Sequence, residues 1–198
     1  MKILHLITSP RGTESISLKL GNAIVEKLQV ANPGSTLVTK DLAHDPFPHL
    51  EEVHVTSFFT PAEQHSPELA EAIKHSDEAI AELMDADAIV IDAPMYNFQI
   101  PSTLKTWIDH ICRANKTFGY SEKGPEGLVK GKKVYVAISS GGIYSEGPMK
   151  PYDFIEPYLR GLLGFLGMTD LTVYRAEGLK VPGVGEHALE NAIDRIAV

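Results

Sequence analysis

Three hydroxyl side chains, Ser9, Ser15 and Ser17, fall within the short stretch Thr8-Ser9-Pro10-Arg11-Gly12-Thr13-Glu14-Ser15-Ile16-Ser17. An apolar run, Ile3-Leu4-His5-Leu6-Ile7, precedes it, and a helical pattern, Ile16, Leu20, Ile24 and Leu28, follows it. Strand, polar turn and helix in that order make an anion site, because the first N–H groups of a helix lack partners within it and the helix dipole favours negative charge there. Ser9, Ser15 and Ser17 can donate to phosphate oxygens, and Ile16 lies between two of them. Gly12 lets the loop bend, and Arg11 supplies positive charge. The same residues also suit ordinary capping, with Ser15 or Thr13 as N-cap and the other hydroxyls in water.

Two later stretches complement it. In Ala93-Pro94-Met95-Tyr96-Asn97-Phe98-Gln99-Ile100-Pro101, two prolines bracket a methionine and two aromatics. Such side chains form a platform for a planar ring, and backbone groups held by the prolines can read its polar edge. Alternatively, Met95, Tyr96 and Phe98 cap a core. In Ser139-Ser140-Gly141-Gly142-Ile143-Tyr144, paired glycines at a strand end permit close backbone approach to a ligand, or make a plain turn. Together the three loops could line one crevice, with phosphate at the first and a ring at the other two.

The elements that would position these loops are legible as apolar runs. Strands are expected at Lys2–Thr8, Ser35–Lys40, Ala88–Ala93, Lys133–Ser139 and Asp170–Ala176. Within the third and fourth, Ala88–Ile91 and Val134–Ile138 are continuously apolar, as suits strands buried on both faces of a parallel sheet. Helical stripes run through Leu69, Ile73, Ile80, Leu83 and Met84, then Leu104, Trp107, Ile108, Ile111 and Cys112, then Phe154, Ile155, Tyr158, Leu159, Leu162, Leu163 and Leu166, with Gly167 closing the last. Ala188–Ile196 is a short final helix. Strands with helical crossovers read as a doubly wound α/β fold, a five-stranded parallel sheet with helices on both faces, whose ligands sit at the carboxyl ends of the strands. Asp45–Pro67 and Lys116–Gly131 are expected to be long irregular loops.

At 198 residues, the chain suits a single domain, residues 1–198, with a sizeable core. The formal charge of −8 argues against a nucleic-acid surface. Cys112 is the sole cysteine, which excludes an internal disulfide and fits a reducing compartment. No apolar run reaches membrane-spanning length or suits a signal-peptide core, so the protein is expected to be cytoplasmic and free of membranes. Gly183-Val184-Gly185-Glu186-His187-Ala188 matches a dinucleotide fingerprint only in letters, since no βαβ unit follows it. The histidines lack metalloprotease spacing, and no metal is expected. His44, His49, His54 and His65 read as solvated, the Asp109-His110 pair as surface, and Cys112 as core.

Taken in order, these residues resemble the FMN-dependent NADH-azoreductase family, within the flavodoxin-like quinone reductases. The carriers are Ser9-Pro-Arg-Gly with Ser15 and Ser17; Pro94-Met-Tyr-Asn-Phe-Gln-Ile-Pro-Ser-Thr-Leu-Lys; Phe118-Gly-Tyr with Gly127-Leu; Ser139-Ser-Gly-Gly-Ile-Tyr; and Gly164-Phe-Leu-Gly. The resemblance implies a homodimer with one FMN per subunit at the interface. Ser9, Ser15, Ile16 and Ser17 would hold the phosphate, and Pro94, Met95, Tyr96, Asn97 and Phe98 with Ser139, Ser140, Gly141, Gly142 and Tyr144 the ring. Phe98, Tyr120, Tyr144 and Leu162 would shape the substrate pocket, with Tyr120 presented across the interface. Leu162 stands where the family often has Phe, Tyr144 where His is common, and Ser145–Asp153 is a few residues longer than usual.

The expected chemistry is two-step: NADH, or NADPH, gives hydride to the flavin, and a quinone or azo compound then takes the same place and accepts two electrons. The cofactor carries that chemistry, and no protein acid or base is required. The alternatives are a flavodoxin-type FMN electron carrier and a flavin-free signalling domain. The latter would need an acidic cluster where Thr8-Ser9-Pro10 stands.

Overall fold

The computed structural model describes residues 1–122 and 124–198. The chain runs β1 (Lys2–Ile7), α1 (Ile16–Ala31), β2 (Thr36–Asp41), α2 (Glu52–Phe59), α3 (Pro67–Ala72), α4 (Lys74–Asp85), β3 (Ala88–Pro94), α5 (Ser102–Ile111), β4 (Phe118–Ser121), β5 (Gly124–Gly127), β6 (Lys133–Ser139), α6 (Ile155–Phe165), β7 (Asp170–Ala176) and α7 (Ala188–Asp194). The five expected strands form one sheet in the order β2-β1-β3-β6-β7, and every neighbouring pair is parallel.

Strand periodicity divides the core. Leu4, Leu6, Ile89 and Ile91 point to the face covered by α4, α5 and α6, where Leu83, Trp107 and Leu163 are buried. Ile3, Ala88 and Val90 point to the face covered by α1 and α7, against Leu20, Ile24 and Ala192. β3 is buried along its whole length, which is why Ala88–Ile91 reads as an uninterrupted apolar run before the buried Asp92.

Several expectations need correction. The stripe from Leu69 to Met84 is two helices, not one, divided at Ile73, and Met84 is exposed. Phe154 precedes α6 as its N-cap instead of lying within it, and it is half exposed. Asp45–Pro67 is not structureless, because it contains α2 and a 3-10 turn at Ala62–Gln64. Nor is Lys116–Gly131 an irregular loop. It holds the antiparallel β4–β5 hairpin, with Lys123 outside the described residues. Phe118 is half-buried against Phe165, with ring centroids 4.9 Å apart.

The readings of His54 and His110 fail because the segment before α3 folds onto α5, and that of His65 because its ring turns back on the end of α2. His110 is fully buried and His54 nearly so, their rings meeting edge-on at 5.3 Å. His65 hydrogen-bonds the carbonyls of Ser57 at 3.1 Å and Thr60 at 2.9 Å. Only His44 and His49 of the segment's histidines stay exposed.

Candidate active site

The connections leave β1 in opposite directions, to β2 and then to β3, so the crevice of the sheet lies at the carboxyl ends of β1 and β3. The Thr8 hydroxyl donates to the Asp92 carbonyl at 2.6 Å and ties these two ends together. Gly12 takes φ +52° within the 3-10 turn Gly12–Glu14. Ser15 then caps α1, its Oγ accepting from the Leu18 N–H at 3.3 Å. The same hydroxyl meets that of Ser17 at 3.0 Å, so capping and hydroxyl clustering coexist. Ser9, Ser15 and Ser17 are all buried.

The second loop makes a two-residue hairpin turn. Tyr96 and Gln99 exchange both backbone hydrogen bonds at 3.0 Å, with Asn97 at φ +50° and Phe98 at φ +69°. A bulky residue at positive φ is costly, and such conformations persist where the surroundings hold them. The Met95 N–H donates to the Ser139 carbonyl at 2.8 Å, which joins this loop to the third. In the third, the Ser140 hydroxyl donates to the Gly142 carbonyl at 2.9 Å. The carboxylate of Glu177 accepts from the N–H groups of Tyr144 at 2.8 Å and Ser145 at 3.1 Å.

One cavity of about 610 Å³ joins the three loops, lined by Ser9, Ser15, Ile16, Pro94, Met95, Tyr96, Ser139, Ser140 and Gly141. Ser17 adjoins it through Ser15. Phe98 stands edge-on to Tyr144 at 6.1 Å and tilted against Tyr152 at 5.4 Å, Tyr152 coming from the long Ser145–Asp153 segment. The Tyr144 ring covers Gly142, within 3.4 Å of where a Cβ there would point. Asn97 faces a second cavity of about 580 Å³, reached from the other side of Tyr96 and lined also by Pro10, Ile100, Lys105 and Tyr158. Leu162 is packed on the core and Tyr120 is 76% exposed on the hairpin. Neither lines either cavity.

The cavity also takes Arg11, Leu179, Lys180 and Gly185. Arg11 was noted in the sequence for its charge alone, and the other three were missed. Their signal was positional, since they follow the carboxyl end of β7 next to the glycine loop. Gly185 belongs to the segment with the false dinucleotide fingerprint and enters the site without that motif's βαβ context. Close by in the sheet, the buried pair His5 and Asp92 meets at 2.9 Å (Nε2 to Oδ1). Burial pushes the Asp92 carboxyl above its usual range, against the lowering effect of His5. Burial also lifts the Cys112 thiol to about 11, so it is no thiolate nucleophile at neutral pH. Among the described residues no group of three His, Cys, Asp or Glu side chains is arranged to hold a metal.

This fold and crevice define a class. Residues 1–198 match the family described as having a flavodoxin-like fold, and the chain belongs to that family. Within it, the chain is 47% identical to the FMN-dependent NADH:quinone oxidoreductase of Mesorhizobium japonicum over 98% of this chain and 90% of the relative. It is 48% identical to the protein of that name from Herminiimonas arsenicoxydans, over 93% of this chain and 90% of the relative. Among solved structures it is similar to an azoreductase from Bacillus anthracis, with a TM-score of 0.91 at 29% identity, covering 98% of this chain and 95% of that one. An FMN-dependent NADH-azoreductase from the same species, in complex with FMN, superposes with a TM-score of 0.87 at 26% identity, covering 98% and 97%.

Proposed function

We propose that this chain is an FMN-dependent NADH:quinone oxidoreductase that also reduces azo compounds, with residues 1–198 acting as one FMN-binding domain. One observation carries the reading: a single cavity of about 610 Å³ joins a buried hydroxyl cluster to a Met95–Tyr96 wall and the Ser139–Gly141 backbone. That volume lies within the range of cofactor pockets, and the donor set matches a phosphate at one end and a flat ring at the other. Ser9, Ser15 and Ser17, with the first N–H groups of α1, would bind the phosphate. Met95, Tyr96 and Phe98 would flank the ring, and the backbone of Ser139–Gly142 would meet its edge. Bound FMN would supply the chemistry, taking hydride from NADH and passing two electrons to the acceptor.

The chain's own part is to orient the ring and to shield it from water. Phe98, Tyr144 and Tyr152 form an aromatic wall beside the site that suits flat acceptors such as quinones and azo compounds. In this reading the protein is a homodimer. Exposed Tyr120 and Phe59, at 76% and 79%, support an interface in which each subunit's hairpin closes the other's site. The lone Cys112 suits a reducing compartment, and we place the protein in the cytoplasm on that ground. Among the described residues no helix is long and apolar enough to cross a membrane.

The test is an absorption spectrum of the purified protein with the released flavin identified, followed by NADH oxidation with a quinone and no partner protein. A flavin spectrum with FMN released and rapid turnover is expected. A colourless protein that refuses FMN overturns the reading, and one that holds FMN without turnover is an electron carrier.

A further inference from the structure

The loop after β7 brings a cation into the cavity. Three backbone bonds zip it to the glycine loop: the N–H of Gly178 to the carbonyl of Gly142 at 2.9 Å, of Leu179 to Ser140 at 3.2 Å, and of Lys180 to Gly141 at 2.9 Å. Gly185 lets the loop fold back tightly, since a Cβ there would stand 2.5 Å from the Leu179 carbonyl oxygen. With its backbone so fixed, Lys180 lays its stem across Gly141. Its Cδ lies 3.2 Å and its Cγ 3.4 Å from where a Gly141 Cβ would point. Long cationic side chains pack their stems on a surface and leave the charged head to find a polar partner.

Among the described residues the Lys180 ammonium has no hydrogen-bond or ion-pair partner, and neither has the Arg11 guanidinium. Glu177, nearest in sequence on that loop, is committed to Tyr144 and Ser145. The cavity is lined by these two cations and by no carboxylate, in a chain whose formal charge is −8. Arg11 is in the serine loop, where the phosphate charge would lie. Lys180 is against Gly141, where the ring would lie.

We propose that Lys180 is the counter-charge for the reduced flavin ring and thereby raises the reduction potential of bound FMN. This rests on the cavity being the FMN site. Hydride from NADH carries two electrons and one proton, so the ring gains one unit of negative charge as NAD departs. An ammonium carried on the exposed Lys180 side chain, whose stem packs on Gly141, would stabilise that charged form more than the oxidised one without a proton transfer.

Lys180→Met keeps the stem and removes the charge, and Lys180→Arg keeps the charge. Parent and variants are reconstituted with FMN, and the affinity for oxidised FMN and for riboflavin is read by fluorescence quenching. The midpoint potential is read by equilibration with a reference dye. Lys180→Met should leave the affinity for oxidised FMN unchanged while weakening that for reduced FMN about tenfold, a two-electron potential about 30 mV more negative. Lys180→Arg should restore the parent potential. An unchanged potential in Lys180→Met overturns the proposal. So does an equal loss of oxidised and reduced FMN with riboflavin unaffected, which would make Lys180 a phosphate ligand. A parent chain that takes up no FMN fails the cofactor reading itself, and this is seen before any variant is made.

Discussion

His110 and Pro48 are joined by a part-buried hydrogen bond that holds the segment before α2 against α5. Nε2 lies 3.0 Å from the Pro48 carbonyl oxygen and therefore donates, which leaves Nδ1 as a lone pair, buried and without a hydrogen-bond partner among the described residues. Phe47, His54 and Phe58 surround the ring at 5.4, 5.3 and 6.1 Å, with the Arg113 guanidinium 5.0 Å from the Phe58 ring. Burial holds the imidazole below its usual proton affinity. His54 and His75 lower it further, while the Pro48 bond and Asp109 work the other way.

Acid should therefore loosen this packing. The neutral ring is the one that fits, so the unfolded chain takes up the proton first, at about pH 6.5. The stability due to neutral His110 is fully present above that pH and is lost as pH falls through the lowered native value. Urea unfolding over a series from neutral to mildly acidic pH should show a steeper loss in the parent than in His110→Gln. Parallel pH dependences would mean that His110 does not titrate in this window.

Gly21→Ala should destabilise the fold by about 1–3 kcal/mol, as overpacking does. A Cβ at Gly21 would stand 1.9 Å from Asp92 Oδ1 and 2.9 Å from His5 Nε2, so α1 must shift off the sheet. Because Ser15 and Ser17 start that helix, FMN binding should weaken with it. Urea midpoint and flavin affinity check the two effects separately, and a variant as stable as the parent would show that the helix moves freely.

Removing both Ser15 and Ser17 hydroxyls as alanines should cost FMN about 1–3 kcal/mol of binding, since hydrogen bonds to a charged phosphate are stronger than neutral ones. Riboflavin has no phosphate, so parent and variant should bind it alike. If FMN titrations of the two proteins coincide, these serines are only a cap and its neighbour.

Initial rates against NADH at several fixed quinone concentrations should give parallel double-reciprocal lines, as expected when two substrates use one place in turn. The observation behind this is the cavity at the Met95–Tyr96 wall, where donor and acceptor would meet the same face of the ring. Intersecting lines would require both substrates bound at once.

Tyr120→Ala should leave flavin binding to its own subunit intact and alter acceptor kinetics at the partner's site. Mixed dimers of Tyr120→Ala with a flavin-loop-defective subunit would show where the change falls, and sedimentation at micromolar protein would report the dimer. A defect confined to the mutated subunit's own site would rule out the cross-subunit lid.

The sequence by itself determined the sheet and the three loops on it. A strand buried on both faces is mostly apolar, and helices facing one side repeat their apolar residues by threes and fours, so β3, β6, α1 and α5 could be read directly. Ser9, Met95, Tyr96 and Gly141 could be found because they occupy strand ends, where an α/β sheet opens its crevice. The tertiary structure decided what depends on contact between segments distant in sequence. Nothing local to His110 shows that Pro48, 62 residues earlier, will cover it and bury the histidine while Asp109 stays part-exposed beside Lys105. Nothing local to Lys180 shows that β7 lies beside β6, which is what sets its stem on Gly141. The hairpin likewise holds Tyr120 edge-on to Phe118 at 5.9 Å and 76% exposed, outside the cavity, a placement that depends on how β4 and β5 pair.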